Sequence, residues 1–259
     1  YGSHYGYGFL KNAVLWWLRK LHNRGLQTFV PSSDVMVELT QSGFRNLRLF
    51  SRGVDTALFS PDRRNPELRK QWGASEQTPV LIYAGRLAPE KNLPLTIQAY
   101  QRLKRYLPNL RFVLVGSGPL ESKLRAAHPE FIFCGVKSHR ELAQYYASAD
   151  YFIFASTTET FGNVVTEAMA SGLVVLTYQY AAGARFIQHG ESGFLAPFDN
   201  PGKFLDLTRN LAEVWNQRQT IGRQARERIL PHSWDSIVDA YLSDIQRPLR
   251  LNRYFPRSR

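Results

Sequence analysis

Three segments of this sequence carry residue types that could hold a phosphorylated ligand. In GRLAPEKN, Gly85 to Asn92, Arg86 and Lys91 place two cations five positions apart, just after an apolar run and just before a helix start near Leu93. Such a pair suits a diphosphate, because the cations meet its charge while free N–H groups at the helix start donate to its oxygens. An ordinary loop with surface charges would show the same residues, so this segment does not decide the matter alone. Gly85 lets the backbone turn sharply there. In VGSGP, Val115 to Pro119, Ser117 and Gly118 sit where a ligand could approach the backbone closely. The spacing is not G-x-G-x-x-G, and the next apolar run closes with Phe133 and Cys134 rather than an acid, which argues against a nicotinamide enzyme.

The third segment, ASTTETFGNVVTEAMASG from Ala155 to Gly172, is the most informative. Glu159 lies in a loop, Gly162 permits a tight approach, and a helix beginning near Asn163 carries Glu167 in its second turn. Backbone N–H groups at Phe161, Gly162 and Asn163 would face a phosphate at that helix start. Both carboxylates can point into one crevice, where each would accept a pair of sugar hydroxyls. Taken singly, Glu167 also reads as a mid-helix surface acid and Glu159 as a helix-dipole partner. No D-x-D pair occurs, and the histidines at 4, 22, 128, 139, 189 and 232 are too scattered for a metal cluster. Phosphate charge would then be met by Arg86, Lys91 and helix N-termini, with no metal ion and no cofactor. Walker A, G-x-S-x-G and C-x-x-C patterns are absent as well.

The elements that must position these loops follow from hydrophobic periodicity. Short continuous apolar runs at Val80–Ala84, Phe112–Val115, Phe131–Cys134, Tyr151–Phe154 and Val174–Tyr178 alternate with helical stretches. Those helices are expected at Leu93–Lys104, Leu120–Ala127, His139–Ala147, Asn163–Ser171 and Phe204–Trp215, and a capping box, Ser138 to Glu141, opens the third. Continuous rather than alternating strands, each followed by a helix, predict a doubly wound α/β domain with a parallel sheet covered on both faces. In such a sheet the ligand lies beyond the carboxyl ends of the strands, where the three segments fall. This domain is expected over residues 61–232. Residues 1–60, with helices at Phe9–Asn23 and Ser33–Ser42, an apolar run at Gln27–Val30 and a strand at Leu47–Phe50, are too little for a core of their own. They read as the last part of another domain and its linker. Residues 233–259 are expected to hold a helix from Trp234 to Ile245, then Pro248 and an arginine-rich tail.

Composition bounds the rest. The chain has 259 residues, a formal charge of +12, 44% hydrophobic residues and a single cysteine. Cys134 alone can form neither an internal disulfide nor a zinc ribbon, which fits a reducing cytoplasm. No run reaches the roughly 18 apolar residues of a membrane span. The surplus charge points to polyanions: nucleic acid, an anionic membrane surface or a phosphorylated small molecule. Nucleic acid is disfavoured because no stacking platform or groove-reading motif appears. The tail arginines read as a solvated end or as lipid contacts. The stripe Phe9, Leu10, Ala13, Val14, Trp17, Leu18 and Leu21, ringed by Lys11, Arg19, Lys20 and Arg24, reads first as packing within a domain and second as a membrane contact. The chain opens at Tyr1 rather than Met, as a fragment would.

In order, GRLAPEK, VGSGPL, FCGVKSHREL, ASADYFIFAS, the pair Glu159 and Glu167 as E-x7-E, and HGESGFLAPFDN resemble the C-terminal half of retaining family-4-type glycosyltransferases of GT-B fold. LRLFSRGVDTALFSP resembles that family's interdomain linker, and WWLRKLHNR a subgroup of lipid-directed mannosyl, glucuronosyl and sulfoquinovosyl transferases. The resemblance implies transfer of a hexosyl unit from a GDP- or UDP-sugar to an acceptor hydroxyl, on a sugar, lipid or glycolipid, without a metal. It implies that Arg86 and Lys91 grip the diphosphate, that Glu159 contacts donor-sugar hydroxyls and that Glu167 holds the ribose. Phe161, Gly162, Asn163 and Val164 would line diphosphate and sugar through their backbones. Val136 and Lys137 would meet the base through main-chain groups, with Leu142 packing nearby and Ser117 and Gly118 bordering the cleft. Where many relatives have Gly-Gly followed by an acid, this chain has YAAGARF, Tyr180 to Phe186. The family's N-terminal domain, with its Gly-rich loop and a frequent His, would lie before Tyr1; His4 could sit near it. The last helix would cross back onto that domain, and a lipid acceptor would place the enzyme at the inner face of the cytoplasmic membrane. Other GT-B enzymes, an epimerase or a pyridoxal-dependent phosphorylase, and an inactive nucleotide-binding module stay open as alternatives.

Overall fold

The computed structural model describes residues 11–31 and 33–254; His4 and the first residues of the N-terminal stripe lie outside them. It divides into two compact units, 54–233 and a smaller one combining the chain before Val54 with the chain from Trp234 onward. In the smaller unit, helix α1 (Lys11–His22) precedes strand β1 (Thr28–Val30), helix α2 (Ser33–Gln41) and strand β2 (Leu47–Leu49), and the two strands pair in parallel.

The larger unit runs α3 (Pro66–Gln71), β3 (Val80–Ala84), α4 (Leu93–Tyr106), β4 (Arg111–Val115), α5 (Glu121–Ala127), β5 (Ile132–Phe133), α6 (His139–Ala147), β6 (Tyr151–Phe154), α7 (Asn163–Ala170), β7 (Val174–Tyr178), α8 (Ala181–Phe186), β8 (Phe194–Ala196), α9 (Pro201–Glu213) and α10 (Arg218–Ile229). Its six strands form one parallel sheet in the order β5-β4-β3-β6-β7-β8. Strands β3, β6 and β7 are buried along their whole length, as continuous apolar runs require when helices cover both faces. Chain order reverses between β3 and β6, which opens a crevice beyond their carboxyl ends. At the opposite edge, buried Arg69 bonds Asp150 Oδ2 at 3.2 Å, and the same oxygen accepts from Val80 N at 2.9 Å, so one ion pair ties the starts of β3 and β6 together.

Four elements depart from the sequence expectations, one of them the short helix α8, which lies in none of the expected helical stretches. The sixth strand, β8, follows Gly193 and its conformation at φ +147°, and is too short to show as an apolar run. Helix α10 was not expected because its composition is dominated by Arg and Gln; it is held by the narrow stripe Ile221, Ala225 and Ile229 and by Gly222, where a Cβ would stand 1.9 Å from the Gly172 carbonyl. The last helix, α11 (Trp234–Tyr254), does not stop at Ile245 but continues through Pro248. Proline removes the N–H that would bond the Asp244 carbonyl, and Gln27 Nε2 donates to that carbonyl at 3.1 Å instead. Phe29 and Phe50 each pack on Tyr241 with ring centroids 4.7 Å apart, so α11 belongs with the β1–β2 unit. Val54 and Phe59 are buried in the larger unit, and Arg226 donates to the carbonyls of Thr56 and Phe59. No helix among the described residues is long and apolar enough to cross a membrane.

Candidate functional site

The loops after β3 and β4 are laced together by their backbones. Gly85 N donates to Val115 O at 3.0 Å, Leu87 N to Ser117 O at 2.9 Å, and Leu120 N to Leu87 O at 3.0 Å. The approach is so close that a Cβ at Gly116 would stand 2.0 Å from the Gly85 carbonyl oxygen, at a φ of +129° that side chains rarely adopt. Here glycine is a steric requirement of the crossing rather than a source of mobility. Gly116 N also donates to Gly135 O at 2.8 Å, which brings the loop after β5 into the same edge.

These loops and the α6 and α7 helices enclose a cavity of about 630 Å³. Of the residues singled out from the sequence, Gly85 and Arg86 line it from the β3 loop, Ser117 and Gly118 from the β4 loop, and Val136 and Lys137 from the β5 loop. Leu142 lines it from α6, and Asn163, Val164 and Glu167 from α7. Val136, 72% exposed, presents an apolar surface there. Arg86 stands at the mouth with 65% of its side chain exposed and pairs with Glu90 at 3.0 Å.

Lys91, Glu159, Phe161 and Gly162 do not line this cavity. Lys91 Nζ reaches across the β3–β6 crevice and bonds Glu159 Oε1 at 2.5 Å, both side chains being about four-fifths buried. Ser156 donates to the same oxygen at 2.8 Å, and Tyr180 OH to the Glu159 carbonyl at 2.8 Å, which fixes the loop from both sides. The Phe161 ring is buried against Phe186, 6.1 Å between centroids, so what this residue can offer a ligand is backbone. Gly162, with φ +90°, caps α7 and turns the chain so that the helix start faces the sheet edge.

Glu167 differs from Glu159 in its surroundings. Burial pushes its carboxyl above the usual range, while the charge of His139 and a hydrogen bond from Tyr146 pull it down. Tyr146 OH donates to Oε2 at 3.4 Å. His139 lines the cavity beside it. The sequence reading assigned no role to His139, Tyr146, Ser156 or Tyr180. A signal for the first two exists: His139 directly follows the capping-box serine, and 139, 142 and 146 fall on one helical face. Among the described residues no group of three or more His, Cys, Asp or Glu side chains could hold a metal ion. Arg86, Lys137 and the start of α7 can meet an anion in the cavity, and the Glu167 carboxylate there can take hydroxyls.

The chain is 34% identical over 245 residues, 93% of its length and 62% of the relative's, to a GDP-mannose-dependent alpha-mannosyltransferase of Mycobacterium tuberculosis. It is 34% identical over 247 residues, 90% of its length and 47% of the relative's, to the sulfoquinovosyl transferase SQD2 of Arabidopsis thaliana. It thus spans roughly half to two thirds of the length of these curated relatives. Among solved structures, Alr3699/HepE of Anabaena in complex with UDP superposes with a TM-score of 0.76 at 22% identity, over 95% of this chain and 70% of that one. The family model described as glycosyl transferases group 1 matches residues 64–228, which take in every loop of the site, and the chain belongs to that family, with the GT-B type of α/β fold.

Proposed function

We propose that this chain is the donor-binding part of a retaining glycosyltransferase that moves a hexosyl unit from a GDP- or UDP-sugar to an acceptor hydroxyl. The observation that carries the reading is the single cavity in which Arg86, Lys137, the α7 start and the Glu167 carboxylate converge. The base would rest against Val136 and Leu142, the ribose would meet Glu167, and the diphosphate would lie between Arg86 and Asn163. The sugar would extend toward the β3–β6 crevice, where Lys91 and Glu159 wait as a pair.

In the reaction, the bond from the anomeric carbon to the β-phosphate oxygen breaks and a bond from that carbon to the acceptor oxygen takes its place, with the anomeric configuration retained. The acceptor proton passes to the departing phosphate. Negative charge grows on that phosphate as the bond stretches, so Arg86, Lys91 and the α7 N–H groups stabilise the transition state more than the ground state. These groups supply the charge that a metal ion would otherwise bring, and no metal or cofactor enters the proposal. Glu159 positions sugar hydroxyls. To do so it must exchange its bond to Lys91 for bonds to the donor, while Lys91 turns to the phosphate.

Isothermal titration of the chain with UDP, GDP and ADP tests the donor site, and a turnover assay on the complete protein tests transfer. Micromolar binding of a nucleoside diphosphate is expected, and failure of all three to bind would overturn the reading. For the acceptor we propose a lipid or glycolipid at an anionic membrane surface. Support comes from the names of the curated relatives, which include a phosphatidylinositol monomannoside mannosyltransferase at 28% identity. Trp16, Trp17 and Leu21, exposed on α1 beside Lys20, are the second support. Co-sedimentation with phosphatidylglycerol vesicles is the check, and absence of pelleting at low salt would remove the membrane from the proposal.

A further inference from the structure

The wall of the cavity around Glu167 holds more than a lone carboxylate. Tyr146 is fully buried, and its hydroxyl bonds Glu167 Oε2. Among the described residues this is the bond Glu167 receives, so Oε1 keeps its acceptor sites for a ligand. Burial and the Glu167 charge push the Tyr146 phenol well above its ordinary value, which keeps it a donor at any working pH. The phenol ring is wedged: Phe59 packs on it edge-on at 5.9 Å and Phe152 at 5.8 Å. Phe59 also meets the His139 ring at 6.5 Å, so one aromatic backs both groups. His139 is held at the first turn of α6 by a complete capping box, in which Ser138 N donates to Glu141 Oε2 at 2.9 Å and Glu141 N to Ser138 Oγ at 3.4 Å. His139 is an exposed residue and lines the same cavity as Glu167.

We propose that these residues form a clamp selective for a vicinal diol: His139 contacts one ribose hydroxyl directly, Glu167 Oε1 accepts from the pair, and Tyr146 is the positioning residue that holds Glu167 in place. The inference rests on the nucleotide reading of the cavity and adds two side chains and a selectivity to it. A carboxylate alone on a surface helix rotates freely and discriminates weakly. One whose second oxygen is fixed by a buried phenol, with an imidazole beside it, leaves polar groups unpaired whenever a hydroxyl is missing, and that penalty is what rejects the analogue.

The test compares ribo- and 2′-deoxyribonucleoside diphosphates of one base, with inorganic pyrophosphate as a probe that has no ribose. The unaltered chain is expected to prefer the ribonucleotide by about tenfold, the scale of one well-made hydrogen bond. In Tyr146→Phe and in His139→Ala that ratio should fall to within about threefold, while pyrophosphate affinity stays as it was. His139→Gln, which keeps a donor, should recover part of the ratio, a rescue that a purely structural role would not produce. In the complete protein the same variants should raise the donor KM and leave kcat within about twofold. A ribo-to-deoxy ratio unchanged in both variants, with nucleotide still bound, overturns the clamp and leaves the donor site standing. Loss of the ratio together with equal loss of pyrophosphate binding also overturns it, since the variants would then have damaged the whole cavity. Absence of nucleotide binding in the unaltered chain overturns the donor reading itself.

Discussion

Glu159 and Glu167 sit eight positions apart on one continuous segment, yet the fold gives them opposite surroundings. Glu159 lies in the β3–β6 crevice with a cation, Lys91, and a hydroxyl, Ser156, both on one oxygen. Glu167 lies one helical turn into α7 with a buried phenol on one oxygen and burial raising its carboxyl. The first is an acid whose charge is already matched, so a ligand must compete for it. The second is an acid left short of cations, so a hydroxyl that donates to it improves its position. Identical side chains thus have opposite surroundings, one matched by a cation and one not, and the difference comes from what the neighbouring loops bring.

The sharpest way to break this contrast is at Lys91. In the complete protein, Lys91→Ala should cut turnover by more than about 100-fold, the scale of losing one donor aimed at developing charge. Unchanged turnover would remove Lys91 from the reaction and leave its bond to Glu159 as a structural tie between two loops.

Glu167→Ala is expected to weaken nucleoside diphosphate binding by about tenfold or more, as the loss of charge-assisted hydrogen bonds would. Titration with the nucleotide that binds the unaltered chain checks this, and equal affinity would count against the ribose role.

Glu159→Gln should act differently on two ligands. With its counterion gone, Lys91 is free for phosphate, so a nucleoside diphosphate without sugar should bind a few-fold tighter, about what one partly sheltered ion pair contributes. The intact nucleotide sugar should gain less or bind more weakly, because the amide is a poorer acceptor for its hydroxyls. A parallel change for both ligands would show that the pair does not gate the crevice.

How much of this was legible beforehand depends on whether the signal is local. Strands β3, β6 and β7 begin and end where their apolar runs do, because burial on both faces leaves no room for polar residues inside them. The loops were legible for a similar reason: at Gly116 only a glycine fits, and at Gly162 the φ of +90° favours one. What stayed hidden is non-local. That Lys91 spends its charge on Glu159, 68 positions away, follows from the strand order, which no local pattern reveals. Helix α10 was masked because Arg226 and Arg228, which look like surface charges, donate to backbone carbonyls of Phe59 and Phe186. The passage of α11 through Pro248 depends on Gln27 from the far end of the chain.

The smallest expected effect is on stability, and it separates the two acids most cleanly. A carboxyl whose folded pKa lies above its unfolded value binds a proton more readily in the native state, so stability falls as pH rises through the window between the two values. For Glu167 the window opens near 4.5, its ordinary value, and extends upward. Above it, the native state carries the full penalty of a buried charge; below it, the acid is neutral in both states and the penalty vanishes. Glu167→Gln removes the titration while keeping the shape and the acceptor for Tyr146. Its melting temperature should therefore exceed that of the unaltered chain by a few degrees at pH 7, and the gap should close as pH falls below about 4.5. Glu159→Gln should move the other way at pH 7, because it strands Lys91 in the crevice without its partner. Melting curves of both variants at pH 7 and pH 4 read the two signs together. If Glu167→Gln is destabilised at pH 7, then Tyr146 and His139 already compensate its charge, and Glu167 is no readier for a ligand than Glu159.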